Sequence, residues 1–152
     1  MALMTIGELM RTKEVKEVWT VTPDATVFQA LQKLAEKDIG ALLVVNEANR
    51  LVGIFSERDY ARKIILMGKS SLQTKVKDVM TTEIVVISPE RTIEECMELM
   101  TECHIRHLPV LEEGNLLGLV SIGDVVKAII TGQARLITSL ENYIMGVDYG
   151  KV

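Results

Sequence analysis

Two serine–aspartate pairs with the same spacing are the residues of this chain best suited to bind a ligand. Ser56 precedes Asp59 by three positions, and Ser121 precedes Asp124 by three positions. An ionised carboxylate only accepts hydrogen bonds, so one aspartate can hold both hydroxyls of a vicinal diol through charge-assisted bonds. The same spacing at the start of a helix is also a helix cap. The pairs therefore predict a diol-binding site, two helix caps, or both.

The two pairs belong to two copies of one sequence repeat. The segment VTPDATVFQAL at 21–31 is matched by ISPERTIEECM at 87–97, and LVGIFSERD at 51–59 is matched by LLGLVSIGD at 116–124. The offset is 66 residues between the matched prolines and 65 between the matched aspartates. Two copies are too few for a solenoid, so the repeat predicts a pseudo-twofold pair with a cleft between the copies.

Each copy shows the pattern strand, helix, strand, strand, helix. In the first copy we expect strands at 20–21, 41–45 and 51–55, a helix capped by Thr26, and a second helix over about 56–66. The continuous apolar run at 41–45 is typical of a strand that is buried on both faces. The first copy therefore predicts an α/β (α+β) unit.

The second copy predicts the same elements. We expect strands at 83–87, 108–111 and 116–120, a helix capped by Thr92, and a last helix over about 122–130. The glycine of each third strand permits either close approach of a ligand or tight packing.

The repeats divide the chain into four segments. Residues 1–68 are expected to hold the first repeat with an N-terminal extension, 69–79 a polar connector, 80–131 the second repeat, and 132–152 a C-terminal helix and tail. Leu136, Ile137, Leu140 and Ile144 would form one apolar stripe on that helix, which predicts that it covers an open face or a dimer contact.

Composition and charge exclude several classes of function. The chain has 152 residues, of which 48% are hydrophobic, and a net charge of −4. This charge argues against a broad nucleic-acid surface, which requires clustered Lys and Arg. No apolar stretch reaches the ~18 residues that span a bilayer, and the first residues lack the apolar core of a secretory signal. We therefore expect a cytoplasmic protein that binds neither nucleic acid nor membrane.

The cysteines and histidines do not form a recognisable catalytic or metal-binding motif. Cys96 and Cys103 lie seven positions apart on one predicted helix, too far for a disulfide within it. We interpret both as small buried residues. His104 and His107 beside Cys103 are a weak indication of a metal site, but four ligands are not evident. We therefore expect no metal and no enzymatic activity.

Four segments of the chain form an ordered, doubled pattern: DIGALLVV at 38–45, GIFSERD at 53–59, IRHLPV at 105–110 and GLVSIGD at 118–124. This pattern resembles the CBS domain, the regulatory repeat of the cystathionine-beta-synthase type. The resemblance covers about residues 4–131. It is greatest to stand-alone CBS-pair proteins related to the regulatory part of inosine monophosphate dehydrogenase.

The resemblance implies two tandem β-α-β-β-α CBS repeats packed as a pseudo-twofold pair, which commonly dimerises. It also implies clefts that bind adenosine-containing ligands: AMP, ADP, ATP or NAD(H), with S-adenosylmethionine less favoured. The serines and aspartates of the two pairs would line the ribose, and Arg106 and His107 would approach the phosphates. An apolar slot for adenine is expected at Ile39 to Leu42 or at Ile105 to Pro109. The expected ligand-binding residues are Ser56, Arg58, Asp59, Arg62, Ser121, Asp124, Arg106, His107, Pro109, Ile39, Gly40, Ala41, Leu42 and Ile105.

The two expected sites are not equivalent. The second copy has Arg106–His107 where the first has Gly40–Ala41. Arginine carries a planar fork that suits phosphate, and the charge of histidine varies near neutral pH. If the ligand held by Asp59 extends across the pseudo-twofold axis, its phosphates meet this basic pair. We therefore expect the site at Asp59 to bind anions more tightly.

Two functions from different classes fit these features. The first is a regulatory sensor of adenosine ligands that forms a homodimer and signals to a protein partner of unknown identity. The second is a constitutive dimerisation or adaptor module with weak or no ligand binding. Saturable nucleotide binding distinguishes them.

Overall fold

The two repeats fold as two similar units of helices and strands. The computed structural model describes residues 4–13 and 18–145, except for the side chains of 133–136, 139 and 143–145. A π-helical turn at Ala61–Ile65 continues α3, and a short 3-10 helix covers Val76–Asp78. The predicted α+β class is confirmed. The helices are α1 (Ile6–Thr12), α2 (Val27–Lys37), α3 (Glu57–Tyr60), α4 (Ile93–Cys103) and α5 (Ile122–Met145), and the strands are β1 (Thr20–Val21), β2 (Ala41–Val45), β3 (Leu51–Ser56), β4 (His107–Glu112) and β5 (Asn115–Ser121).

The strands of the two sheets pair in matching registers, as expected for two copies of one repeat. β1 pairs with β2 in parallel, β2 pairs with β3 antiparallel, and β4 pairs with β5 antiparallel. Val44 lies opposite Gly53, and Val110 lies opposite Gly118. Each repeat has one hydrophobic core, which its own strands and helices form together with residues of the segment that precedes the other repeat. The β2–β3 and β4–β5 hairpins are therefore equivalent, and each ends at the serine of one serine–aspartate pair.

Both predicted helix caps are present. Thr26 and Gln29 form a reciprocal capping box at the start of α2, and Thr92 and Glu95 form one at the start of α4. Each box satisfies backbone N–H groups that have no partner within the helix. These local bonds explain why the starts of α2 and α4 follow directly from the sequence.

The segment that precedes each repeat packs on the other repeat. In front of the first repeat, α1 lies against the second: the Ile6 N–H donates to the Arg91 carbonyl at 2.7 Å. In front of the second repeat, the connector lies against the first: the Val76 N–H donates to the Ala25 carbonyl at 2.8 Å. The connector at 69–79 also contributes to the core, since Val76 is fully buried in the first repeat.

The strand predicted at 83–87 does not form. Only Ile87 pairs with the second sheet, through a parallel bridge to Val110. In the first sheet the Leu43 N–H donates to the carbonyl of Trp19 at 3.4 Å. Pro109 occupies the position that matches Leu43 and has no N–H, so the equivalent bond cannot form. The second sheet therefore keeps two strands.

The predicted end of the last helix near residue 130 was also wrong. α5 runs without interruption through Gly132 to Met145. A glycine inside a helix costs about 1 kcal/mol relative to alanine, which good helix formers on both sides can offset. Of the predicted apolar stripe, Ile137 and Leu140 are at least half exposed. Leu136 and Ile144 lie outside the described side chains, and residues 146–152 lie outside the described chain.

The two cysteines differ in environment. Cys96 is buried in the second core, and this burial raises the pKa of its thiol to about 11. Cys103 is exposed at the end of α4, so the prediction that both cysteines are buried was wrong for this one. It lies in the last turn of the helix, beyond the part that the core covers.

Candidate functional site

Two clefts lie between the repeats, one at each serine–aspartate pair. The Asp59 cleft has a volume of about 570 Å³, and the Asp124 cleft has a volume of about 490 Å³. Each cleft is formed by the serine–aspartate pair of one repeat and by the residues that precede the paired strands of the other repeat. The Asp59 cleft thus pairs the start of α3 with residues 83–85, and the Asp124 cleft pairs the start of α5 with residues 18–19.

The structure brings most of the predicted ligand-binding residues to these clefts. Ala41, Leu42 and Pro109 line neither cleft, because their strands point them into buried positions. Gly40 and His107 line both clefts. The Asp59 cleft also contains Ser56, Arg58, Asp59, Arg62, Ile105 and Arg106, and the Asp124 cleft also contains Ile39, Ser121 and Asp124.

Asp59 is the one buried charged residue among those that the structure describes, with 6% of its surface exposed. Its Oδ2 accepts hydrogen bonds from the N–H and the hydroxyl of Ser56, at 2.9 and 3.1 Å. Its Oδ1 accepts one from the Thr81 hydroxyl at 3.0 Å and pairs with the Lys63 ammonium at 2.9 Å. The predicted helix cap is therefore present, and two further donors engage the same carboxylate.

Asp124 has a similar cap but fewer contacts. Its Oδ2 accepts a hydrogen bond from the Ser121 N–H at 2.9 Å and pairs with the Lys13 ammonium at 2.9 Å. The same ammonium donates to the Leu119 carbonyl at 2.9 Å. The side chain of Asp124 is 25% exposed, against 9% for Asp59. Asp124 is thus the more accessible of the two carboxylates.

The charges that line the two clefts differ. The cations of the Asp59 cleft are Arg58, Arg62, Lys63 and Arg106, and its carboxylates are those of Glu57, Asp59 and Glu83. The Asp124 cleft has two cations, Lys13 and Lys37, and two carboxylates, Asp38 and Asp124. The excess of cations therefore lies in the Asp59 cleft, together with the predicted phosphate-binding Arg106.

His107 forms part of the wall between the clefts. A Cβ atom on Gly40 would lie 3.3 Å from Cε1 of the His107 ring, so the absence of a side chain at Gly40 lets the imidazole approach. Burial lowers the pKa of His107; Asp124 opposes this shift, and Arg106 and Lys13 reinforce it. The neutral imidazole is therefore favoured at pH 7, as a hydrogen-bonding group rather than a cation.

Several cleft residues were not predicted from the sequence. Lys63 and Thr81 reach Asp59, Lys13 reaches Asp124, and Trp19 and Lys37 line the Asp124 cleft. Of these residues, only Lys63 could have been predicted from the sequence, because it follows Asp59 by four positions on a predicted helix and such residues are neighbours on the helix surface. The other four arrive through the crossed packing of the repeats, which leaves no local pattern.

No group of three or more His, Cys, Asp or Glu residues in the described ranges has the arrangement of a metal site. Within the same ranges, no helix is long and apolar enough to cross a membrane.

Comparison with known proteins identifies both repeats. The family model of the CBS domain matches residues 6–66 and 76–131. The mitochondrial CBS domain-containing protein CBSX3 of Arabidopsis thaliana is 41% identical over 150 residues, which cover 93% of this chain and 72% of that protein. The structure of a protein with CBS domains from Burkholderia ambifaria matches with a TM-score of 0.81 and 45% identity, covering 85% of this chain and 96% of that one.

The likeness to inosine-5'-monophosphate dehydrogenase is also present. The enzyme of Methanocaldococcus jannaschii is 34% identical over 114 residues, which cover 74% of this chain but 22% of the enzyme. That match covers its CBS part only. CBS pairs are modules that generally bind adenosine ligands and have regulatory roles. The crossed pair of repeats and the family match lead to one conclusion: this chain is a tandem pair of CBS domains and belongs to the CBS-domain family.

Proposed function

We propose that the protein is a regulatory sensor of adenosine-containing ligands that binds AMP, ADP, ATP or NAD(H) between its CBS domains and signals to a protein partner. The observation that supports this most strongly is the Asp59 cleft, where a serine–aspartate helix start faces an excess of cations. A diol acceptor beside phosphate-binding cations is the combination that a nucleotide requires.

In this proposal Asp59 and Asp124 hold ribose hydroxyls, and Arg106 and His107 approach phosphates. Because four donors already engage the Asp59 carboxylate, a ribose diol there replaces one of them. Lys63 is the donor best suited to leave, since its side chain is 41% exposed and its ammonium also donates to the Val79 carbonyl at 2.9 Å, a contact that it can keep while it turns from Asp59 to a phosphate. Ligand binding thereby loosens the contact between Asp59 and the π-helical turn that carries Lys63.

Adenosine ligands are expected to raise the melting temperature selectively. At 100 times its dissociation constant, a ligand stabilises the folded state by ~2.7 kcal/mol, which is roughly 5–10 °C for a domain of this size. Thermal unfolding with matched adenosine, guanosine and pyrimidine nucleotides measures the shift. Equal shifts throughout, or none, would contradict the proposal and favour the adaptor function.

We also propose a homodimer formed through the helices. The exposed apolar residues Val126, Ile130, Ile137 and Leu140 follow one another on α5 at intervals of four, seven and three, which place them along one face. Ile65 matches Ile130 in the other repeat and is exposed as well. Light scattering at micromolar concentration is expected to give twice the chain mass, and a monomer would refute the dimer.

The alternative is a constitutive dimerisation module without ligand. It is favoured by the saturation of Asp59 with internal donors, which makes the carboxylate a structural cap. The two functions predict the same dimer but opposite results in the ligand titration. Neither involves enzymatic activity, and the similar stand-alone proteins are of the regulatory class.

A further inference from the structure

The Asp124 cleft contains an aromatic ring that the Asp59 cleft lacks. Trp19, the one tryptophan of the sequence, lines it, and Val85 occupies the matching position in the Asp59 cleft. Lys37 also lines the Asp124 cleft, and Cys103 is its counterpart in the other. The two clefts therefore present different groups to the planar ring of a ligand.

The tryptophan and the lysine already contact each other. The Lys37 ammonium lies over the indole, 4.3 Å from the ring centroid. Its ion pair with Glu36 is long, at 3.9 Å. Stacking of a nucleic-acid base on an aromatic ring is generally stronger than an exposed cation–π contact. A planar base can therefore replace the ammonium on the indole, which releases Lys37 to an anionic group of the same ligand.

The carboxylate in this cleft has acceptor capacity to spare. Among the described contacts, the Ser121 N–H and the Lys13 ammonium both go to Oδ2 of Asp124, which leaves Oδ1 available to hydroxyls. An ionised carboxylate has about four acceptor positions. Asp124 can thus accept a ribose diol without losing a contact, whereas Asp59 must first release a donor.

The charge of the Asp124 cleft limits how anionic its ligand can be. Lys13 is committed to Asp124 and to the Leu119 carbonyl, so Lys37 is the cation available to a phosphate. We propose that this cleft binds a purine nucleoside or its monophosphate by stacking on Trp19, and that the Asp59 cleft takes the polyphosphate. This inference rests on the proposed function and assigns a different ligand to each cleft.

Fluorescence of Trp19 and calorimetry together test the assignment. Adenosine is expected to change the fluorescence saturably, and a non-hydrolysable ATP analogue is expected to bind with a smaller change. Trp19→Val, which copies Val85, should weaken adenosine binding roughly 5- to 50-fold and leave the analogue within about twofold. Trp19→Phe keeps a stacking surface and should restore most of the affinity. Val86→Ala, at a residue that is exposed and lines neither cleft, is the control and should leave adenosine binding unchanged.

A second variant tests the role of the lysine independently of the ring. Lys37→Gln removes the ammonium from the indole, so it should weaken binding of AMP several-fold while adenosine binds as well as before or better. This difference between two ligands cannot arise from unfolding, which would weaken both. Equal effects on AMP and adenosine would overturn the role assigned to Lys37.

The possible failures are distinguishable. Adenosine binding that is unaffected by Trp19→Val, with no change of Trp19 fluorescence, overturns the inference and leaves the proposed function intact. Absence of calorimetric binding for adenosine, AMP, the ATP analogue and NAD alike overturns both.

Discussion

Replacing Asp59 by asparagine is expected to lower the free energy of unfolding by about 1–3 kcal/mol, because it leaves buried donors without their acceptor. The carboxylate accepts from the Ser56 N–H and hydroxyl, from Thr81 and from Lys63. An asparagine amide has one acceptor oxygen, and its NH₂ group would face donors. Urea unfolding at fixed protein concentration measures the loss.

Asp124→Asn is the matched control for this change. Asp124 is more exposed, and its described contacts are those with Ser121 and Lys13, so its replacement should cost less than about 1 kcal/mol. Equal losses for the two variants would show that the extra donors at Asp59 add nothing to the cap.

The same variant, Asp59→Asn, also tests whether Asp59 binds ribose in addition to capping the helix. If Asp59 also holds a ribose diol, loss of charge-assisted bonds should weaken ATP binding by ~1.5–3 kcal/mol, or roughly 10- to 150-fold. Calorimetric titration must be done well below the melting temperature of the variant. An unchanged dissociation constant would assign Asp59 to the cap alone.

Replacing Gly53 by alanine is expected to destabilise the protein by about 1–3 kcal/mol, because the added methyl group has no room. It would overlap the sulfur of Met80, and it would lie 2.9 Å from Met80 Cγ and 3.2 Å from the Thr81 carbonyl oxygen. The backbone at Thr81 is held by two hydrogen bonds with Ile54 and cannot yield easily. Thermal unfolding should show the melting temperature falling by about 2–10 °C.

Gly118 is the equivalent position in the second repeat and supplies the control. A methyl group there meets the terminal Cε of Met10, which can rotate away, and Val18 at 3.8 Å. Gly118→Ala should therefore cost less than about 1 kcal/mol, and the reduced freedom of the unfolded chain offsets part of that. When Met80 is replaced by alanine, the methyl group added at position 53 has more room. The double variant Gly53→Ala, Met80→Ala should therefore be more stable than the single variant Met80→Ala. A similar loss in both glycine variants would contradict the packing explanation.

The sequence left open whether the glycine of each third strand serves close packing or the approach of a ligand. Each sits opposite a buried valine in its hairpin, and each receives a methionine from the segment that precedes a repeat. Gly53 lines neither cleft, so close packing against Met80 and the Thr81 carbonyl explains the absence of a Cβ there. Gly118 contacts Met10 and also lines the Asp124 cleft, so its position serves both packing and the cleft.

The repeat, the α+β class and the helix caps were predictable from the sequence because their causes are local. Thr26 and Thr92 cap their helices with residues three positions away, and the apolar run at 41–45 needs only burial to form a strand. The serine–aspartate pairs were recognised for the same reason, since each lies within one turn of a helix.

Tertiary structure decided the features that depend on residues distant in sequence. Pro109 prevents a third strand in the second sheet only because the backbone near residue 85 would otherwise lie beside it. Lys13 reaches Asp124, and Trp19 enters the Asp124 cleft, because each segment packs across the pair. The spacing of residues along the chain records bonds within a turn or a hairpin. It does not indicate which donors the fold brings to a carboxylate from distant parts of the chain. The different numbers of donors at Asp59 and Asp124 therefore became visible only in the tertiary structure.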